Sequence, residues 1–215
     1  MKKVAVIHSG MGTVEQIKKL FAELLPEVKL INIVDDSLAG SVLQAGYASP
    51  AVVKAVGLYA LAAQGQGCDA LYNPCALIRG AADAAQEMLD IPYLCNDVPM
   101  TREAIKIGKR IGLVTANQPA MNHVSKMVER EIAAAGQGNV LNKYVCLEAF
   151  HALTKEKNKE KYNALMTEAV SRAAKENDVV LLGQGSMFAA DYPGMEVPVL
   201  DVHESGVLGL KELIK

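Results

Sequence analysis

One cysteine of this chain stands where a predicted strand passes directly into a predicted helix. In ALYNPCALIRGAADAAQEML an apolar run stops at Asn73-Pro74, and Cys75 precedes a helical pattern of small residues. The unpaired N–H groups and partial positive charge of a helix N-terminus favour the thiolate over the thiol. The same N–H groups can bind a carboxylate. Cys75 is therefore the first candidate for acid/base or nucleophilic chemistry, against the alternative of a small buried packing residue.

The remaining cysteines and the histidines predict less. The other cysteines lie in or beside apolar runs and are expected to be packing residues: Cys68, Cys95 and Cys146. No CxxC pair and no histidine at metal-ligand spacing accompanies them, so no metal site is predicted. His8 ends the first predicted strand, and His203 follows the last one. Either could face a substrate and form a couple with a cysteine, or could be a turn or surface histidine.

Composition favours a folded protein that binds neither nucleic acid nor membranes. Of the 215 residues, 51% are hydrophobic and 21% are charged, which predicts a buried core. A net charge of -2 gives no electrostatic reason to bind nucleic acid or an acidic membrane, and tryptophan, a base-stacking residue, is absent. The short apolar start predicts no signal peptide, and no run approaches the roughly 20 apolar residues of a membrane span. We therefore expect a cytoplasmic protein with reduced thiols.

Short apolar runs alternate with helical patterns along the whole chain. The predicted strands are KKVAVIHSG, VKLINIV, DALYN and IPYLC in the first half, and KRIGLVTAN, NKYVCL, DVVLLG and VPVLDV in the second. Strands that alternate with helices form parallel sheets through βαβ crossovers, and continuous apolar runs are typical of strands covered on both faces. Glu15 stands where a dinucleotide fingerprint needs its third glycine, so a nucleotide is not predicted.

The second half of the pattern repeats the first. KKVAVIHSG corresponds to KRIGLVTAN, CDALYNPCA to NDVVLLGQG, and DIPYLCNDVP to EVPVLDVHES. This register places Gln184 opposite Cys75. The first strand of each half supplies two further pairs: Ser9 with Ala116, and Gly10 with Asn117. A duplication of this kind predicts two like lobes that bind a ligand at the carboxyl ends of their strands.

These pieces, in this order, resemble the aspartate/glutamate/hydantoin racemase superfamily, which includes arylmalonate decarboxylase and maleate isomerase. The resemblance covers nearly the whole chain through INIVDDSL, DALYNPCALIRGAADAA, IPYLCNDVPMTREAI, RIGLVTANQP, VVLLGQGSM and VPVLD. It implies two pseudosymmetric α/β lobes, each a parallel sheet of about four strands flanked by helices, with the active site in the inter-lobe cleft. The lobes would be residues 1–98, joined by a C-terminal helix at 204–215, and residues 99–203. The resemblance also implies a homodimer and a PLP-independent isomerase without a cofactor.

Racemases of this superfamily use two cysteines, one in each lobe, to remove and return the proton of the substrate α-carbon. Cys75 matches the first cysteine, whereas Gln184 stands where the second is expected. Glutamine cannot exchange a proton near neutral pH, so Gln184 is expected to orient the substrate. A single thiol still supports proton abstraction, proton delivery after decarboxylation, or covalent addition.

The resemblance further implies the contacts of a small carboxylic acid substrate. Backbone N–H groups at two turns would bind its carboxylate or enolate oxygens: Ala76 and Leu77, and Gly185 and Ser186. Residues at two strand ends would add hydrogen bonds: Ser9, Gly10, Thr115 and Asn117. The alternative is a non-catalytic carboxylate-binding member that lost its chemistry with the second cysteine. A redox-sensing thiol is disfavoured because no resolving cysteine is near Cys75 in the sequence.

Overall fold

The chain folds into two compact units. The computed structural model describes residues 1–185, 187, 192 and 194–214. One unit comprises Met1–Asn96 with Gly206–Lys215, and the other comprises Asp97–Ser205. The first unit therefore ends at Asn96 and resumes at Gly206, each two residues from the predicted lobe bounds at 98 and 204. Among the described residues, every helix is too short or too polar to span a bilayer.

The first unit is a parallel sheet with helices on both faces. Its elements are β1 (Lys3–His8), α1 (Val14–Leu24), β2 (Lys29–Val34), α2 (Ser37–Ala45), α3 (Pro50–Gly65), β3 (Ala70–Asn73), α4 (Arg79–Gln86) and β4 (Tyr93–Cys95). The strand order in the described residues is β2-β1-β3-β4, with every pair parallel. Alternate residues of β1 face opposite layers. Ala5 and Ile7 pack with α2, α3 and α4, whereas Val4 and Val6 pack with α1 and the C-terminal helix.

The second unit repeats this topology. Its elements are α5 (Asp97–Ile107), β5 (Arg110–Thr115), α6 (Gln118–Ala135), β6 (Val140–Val145), α7 (Leu147–Thr154), α8 (Lys159–Glu176), β7 (Val179–Leu182), β8 (Val199–Asp201) and α9 (Val202–Leu213), whose residues from Gly206 belong to the first unit. The described strands run in the order β6-β5-β7-β8, again all parallel. The prediction of an α/β fold with two parallel sheets flanked by helices is confirmed.

The same carboxylate clamp joins two strands at the start of each sheet. Asp69 accepts the N–H of Lys3 at 2.8 Å and donates its own N–H to the Lys3 carbonyl at 2.7 Å. In the second unit, Asp178 accepts the N–H of Arg110 at 2.8 Å and donates to the Arg110 carbonyl at 2.8 Å. Each clamp fixes the register between the first and third strands of its sheet, because both bonds must form together.

The clamps give both sheets one register. The pairing is Val4 with Ala70 in the first sheet, and Ile111 with Val179 in the second. Counted from these pairs, Cys75 and Gln184 occupy equivalent positions, each two residues beyond the end of its strand. The pairing that the repeat predicts between these two residues therefore follows from the strand register as well.

The sequence pattern does not predict α2, α5 and α7. Gly40 and two serines give α2 a low helix propensity, yet the buried Leu38 and Val42 hold it against the sheet. Pro99 makes the start of α5 resemble a linker, although proline is tolerated in the first turn of a helix. The helix predicted at residues 76–89 begins as a 3₁₀ turn at Ala76–Ile78 before α4.

Candidate active site

Cys75 lies beyond the end of β3, on a turn that leads into α4. Its backbone is extended, with φ -129° and ψ 116°, and the 3₁₀ turn Ala76–Ile78 separates it from α4. Cys75 is half-buried at the edge of the core cluster shared by α2, α3 and α4. The first N–H groups of the turn, at Ala76 and Leu77, have no acceptor within it. A partly accessible thiol therefore lies beside backbone donors at the sheet edge where α/β proteins bind ligands.

Two buried asparagines hold the Cys75 turn in place. The side-chain oxygen of Asn73 accepts the Cys75 N–H at 3.0 Å, and its amide donates to Cys95 Sγ at 3.5 Å. Asn96, at the end of β4, donates to the Pro74 carbonyl at 2.9 Å. Both side chains are buried, so water does not compete for these bonds. The backbone on the N-terminal side of the thiol is thereby fixed from two strands.

A buried phenol lies in the same layer as two thiols. Tyr93 and Cys95 belong to the core cluster against which Cys75 packs. Burial raises the pKa of Tyr93 well above its usual value, and negative charge on Cys95 or Cys75 raises it further. The hydroxyl of Tyr93 is therefore protonated near pH 7, and it has no hydrogen-bond partner among the described residues. The Tyr93 hydroxyl could therefore donate a hydrogen bond to a neighbouring thiolate or to a bound anion.

His8 lies on the other face of the first sheet. It occupies the side of β1 that packs with α1 and the C-terminal helix, whereas Cys75 packs with the opposite cluster. Its Nε2 is 2.9 Å from Asn32 Oδ1, which assigns the proton to Nε2. Burial, together with the charge of Lys18, lowers the pKa of His8 although the Asn32 bond opposes this, so the ring is neutral near pH 7. The structure gives no support to a Cys75–His8 couple.

Gln184 joins two strand ends in the second unit. Its Oε1 accepts the Ala116 N–H at 2.5 Å, which ties the end of β7 to the end of β5. Gly183 permits this approach, because a Cβ at that position would lie 2.8 Å from Thr115 Cγ2. Its oxygen already accepts one hydrogen bond, and the N–H groups of its amide are available to a ligand. The position equivalent to Cys75 thus carries a hydrogen-bond donor that cannot take part in proton exchange.

Thr115 and Asn117 use their polar groups locally. The buried Thr115 hydroxyl donates to the Asn117 carbonyl at 3.1 Å. Asn117 Oδ1 accepts the Ala120 N–H at 2.8 Å and caps α6. The side-chain amide of Asn117 remains as a donor for a ligand, whereas the Thr115 hydroxyl has already donated its proton and can only accept a further hydrogen bond. The substrate contacts of both residues stay predictions.

The other predicted contact residues lie at the same strand ends. Ser9 is buried directly after β1, and Gly10 is half-buried, with open space where a side chain would stand. Gly185 is half-buried directly after Gln184. Ser186 lies outside the described residues. The roles of these residues in substrate binding stay predictions.

The end of β8 carries an acid that sequence reasoning missed. Asp201 Oδ1 accepts the N–H groups of His203 at 2.8 Å and Glu204 at 3.1 Å, and so caps α9. Burial raises the pKa of Asp201, and these two hydrogen bonds offset only part of that effect. An aspartate between an apolar strand and a helix, as in VLDVHES, was the available signal. His203 is buried beside this cap, and its predicted role toward a substrate is untested.

Three further residues shape the Cys75 turn or its helix without having been predicted. Asn73 and Asn96 form the bonds described above, and an asparagine directly before a proline is a turn signal that could have found Asn73. Arg79 is buried at the start of α4, with Nε 3.4 Å from Asp83 Oδ2 one turn later. In the part of the chain that the structure describes, no group of three His, Cys, Asp or Glu side chains could hold a metal ion.

Comparisons with known proteins agree on family and fold. The family model described as Asp/Glu/Hydantoin racemase matches residues 4–208. Glutamate racemase from Bacillus anthracis has a TM-score of 0.71 at 19% identity, over 99% of this chain and 81% of that one. Picrophilus torridus aspartate racemase has a TM-score of 0.71 at 17% identity, over 99% of this chain and 94% of that one. Unliganded arylmalonate decarboxylase has a TM-score of 0.62 at 17% identity, over 100% of this chain and 93% of that one. A comparison of the sequence with curated proteins finds no match.

Proposed function

Because the chain belongs to the Asp/Glu/hydantoin racemase family, we propose that it is an enzyme that transfers a proton at the α-carbon of a small carboxylic acid, with Cys75 as acid/base. One observation carries the proposal. Cys75 is half-buried at the carboxyl end of β3, on a turn that two buried asparagines fix. The fold is shared with racemases and with a decarboxylase, which supports chemistry at such a carbon.

The proposed reaction begins with the Cys75 thiolate. The thiolate takes the proton from the carbon next to the substrate carboxylate, and the electron pair of the C–H bond passes into an enolate. The N–H groups of Ala76 and Leu77 bind an enolate oxygen, and the thiol then returns a proton to carbon. Acid/base catalysis of this kind contributes about 10²–10⁴ in rate, and an oriented donor about 10²–10³. The reaction as proposed uses groups of this chain alone and therefore needs no cofactor.

Gln184 limits the stereochemical outcome. Inversion requires a second acid that protonates the opposite face of the carbon, and the position equivalent to Cys75 carries an amide whose oxygen already accepts the Ala116 N–H. We therefore expect proton exchange on one face, with retention of configuration, and no useful racemisation of free aspartate or glutamate.

The same observation favours decarboxylation as a second candidate reaction. In a substituted malonate, the bond between the α-carbon and one carboxylate breaks, carbon dioxide leaves, and the electron pair stays on the α-carbon. The Cys75 thiol then protonates that carbon. This reaction needs only one thiol. Of the two equivalent positions, Cys75 carries a thiol and Gln184 does not.

The test is incubation of the protein in D₂O with a panel of amino acids, hydantoins and substituted malonates. NMR would detect deuterium at the α-carbon or loss of carbon dioxide, and chiral chromatography would follow configuration. We expect exchange with retention, or decarboxylation, and at least a roughly 100-fold loss of rate in Cys75→Ala. Cys68→Ala is the matched control because it removes a buried thiol before the start of β3.

Three results would contradict parts of the proposal. Full activity of Cys75→Ala would remove Cys75 from the mechanism. Rapid inversion by the unmodified protein would show that another residue supplies the second acid. The third result is that no compound of the panel is turned over while one acid protects Cys75 from alkylation. This result would favour the alternative of a non-catalytic carboxylate-binding protein. The cytoplasmic location expected from the sequence stays a prediction.

A further inference from the structure

A groove of about 580 Å³ runs along the outer side of α3, in the first unit. The side chains that form most of it, called here the α3 groove, are Tyr47, Val53, Lys54, Leu58, Leu61 and Met88. Leu58 is 57% exposed and Met88 is 52% exposed, so water contacts this apolar surface directly. Sites for small molecules have volumes of roughly 300–1,000 Å³, a mostly apolar lining and a few polar groups that fix orientation. The α3 groove has each of these properties.

The second unit shows that this fold does not require an apolar outer helix. α8 holds the same place as α3, since each is the helix directly before the third strand of its sheet. The exposed side of α8 is mostly charged and includes Lys161, Glu168, Arg172 and Lys175. A charged outer side is normal for a helix that packs on one face only. The apolar side of α3 therefore serves something other than the packing of its own unit.

One cation stands before the apolar part of the α3 groove. Lys54 is the one charged side chain among the described residues that line it. Lys54 is exposed and forms no ion pair within the described part of the chain. Lys54, Leu58 and Leu61 share one side of α3, because they are four and then three residues apart. A ligand along this side would meet an ammonium group first and then about 10 Å of apolar helix surface.

Met88 forms an adjustable wall of the α3 groove. Its Cε lies against the helix backbone at Gly57, 2.9 Å from the place that an added Cβ would take. Methionine is unbranched and has three rotatable bonds, so the end of this side chain can turn aside at little cost. The groove can therefore fit an alkyl chain without any movement of the backbone.

We propose that the α3 groove binds a monocarboxylate with an alkyl chain of medium length, of which decanoate is the probe. Lys54 binds the carboxylate, and the chain lies over Leu58 toward Leu61 with Met88 beside it. The single cation matches a single anionic group, and the apolar length beyond it matches a medium rather than a long chain. Cys75 does not line this groove, so the site is separate from the proposed active site and its test does not depend on turnover.

Isothermal titration calorimetry of the full chain compares decanoate, octanoate and decanol, each below the concentration at which it aggregates. We expect saturable binding of decanoate at one site. Octanoate should bind about 4-fold to 15-fold more weakly, because two methylene groups fewer are removed from water, partly or fully. Lys54→Met keeps the apolar stem and removes the charge. It should weaken decanoate up to about 5-fold, the contribution of an exposed ion pair, and should not weaken decanol.

A substitution in the apolar part locates the chain of the ligand. Leu58→Glu should weaken decanoate at least about 10-fold, because it removes apolar contact and places a carboxylate beside the ligand. Leu213→Glu is the matched control, since Leu213 is 48% exposed on α9 outside the groove, and it should leave the affinity unchanged. Circular dichroism of each variant confirms that it is folded.

Four results would overturn the proposal. The first is no saturable binding of decanoate up to about 1 mM. The second is an affinity for decanoate that neither Leu58→Glu nor Lys54→Met changes. The third is protection of Cys75 from alkylation by decanoate, which would place the ligand at the proposed active site instead. The fourth is a self-association, measured by sedimentation equilibrium, that Leu58→Glu abolishes, because a second copy of the chain would then occupy the groove.

Discussion

Replacing Gly206 with alanine is expected to destabilise the protein, although alanine is normally the better helix residue. Gly206 lies in α9 and faces Tyr72 and Asn96. A Cβ at this position would overlap the Tyr72 hydroxyl and would lie 2.9 Å and 3.0 Å from the Cβ and Cα of Asn96. Both neighbours are buried, and one of the close atoms belongs to the backbone. The added methyl group therefore cannot be accommodated by rotation of a single side chain.

The expected loss follows from two opposing effects. Alanine in place of glycine inside a helix gains about 1 kcal/mol. Overpacking of a buried site costs about 1–3 kcal/mol, and the upper end applies here because the backbone at Asn96 must move. The net loss is about 2 kcal/mol, which lowers Tm by about 4–8 °C in a chain of this length. Gly40→Ala is the matched control, because Gly40 lies in α2 with no atom within 4 Å of its added Cβ, and it should gain stability.

The assay measures both stability and the Cys75 turn. Urea and thermal unfolding supply the difference in free energy of unfolding between the two variants. Asn96 donates to the Pro74 carbonyl, so a displaced Asn96 should also change the rate at which iodoacetamide alkylates Cys75 in Gly206→Ala, but not in Gly40→Ala. A gain in stability for Gly206→Ala equal to that of Gly40→Ala would refute the packing argument, since it would mean that α9 can move away from Tyr72 without cost.

Three further substitutions test other groups. Tyr93→Phe removes a buried hydroxyl without a partner in the described residues; we expect the free energy of unfolding to stay level or to rise by up to about 1 kcal/mol. Alkylation of Cys75 should slow in this variant because a hydrogen-bond donor near the Cys75 thiolate is lost. An unchanged alkylation rate would show that the Tyr93 hydroxyl does not act on the Cys75 thiolate. Asp201→Asn keeps the cap of α9 and removes a carboxyl whose pKa burial raises above its value of 3.8. Ionisation of Asp201 lowers the stability of the fold as pH rises from 3.8 to the folded pKa. In urea titrations the Asn variant should therefore gain stability relative to the unmodified protein over that range. A stability advantage of the Asn variant that does not depend on pH would contradict this prediction. The Arg110 hydrogen bond lowers the pKa of Asp178, so Asp178 stabilises the fold above pH 3.8 and this contribution is lost as pH falls through the folded pKa. Asp178→Asn should therefore reduce stability at pH 7 and show a smaller loss on acidification, whereas parallel pH profiles would contradict the clamp.

The sheets were predictable because their signal is local and repeated. Each strand is a continuous apolar run, and each lies between helical patterns, so fold class and parallel pairing follow from the order of the segments. The duplicated aspartates Asp69 and Asp178 set the register that pairs Cys75 with Gln184. The helices α2, α5 and α7 were not predictable in this way, since their propensity is weak and the buried contacts that hold them come from distant segments.

The sequence by itself determined which chemical group stands at each of the two equivalent positions: a thiol at Cys75 and an amide at Gln184. That difference is covalent and no packing changes it. Only the tertiary structure decided what surrounds those groups and which surface stays uncovered. Asn96 reaches the Pro74 carbonyl from a neighbouring strand, and Asp90 comes to the end of α3 through its bond with Gln64. Such contacts depend on strand order and on how helices pack against a sheet, which no local pattern of residues encodes.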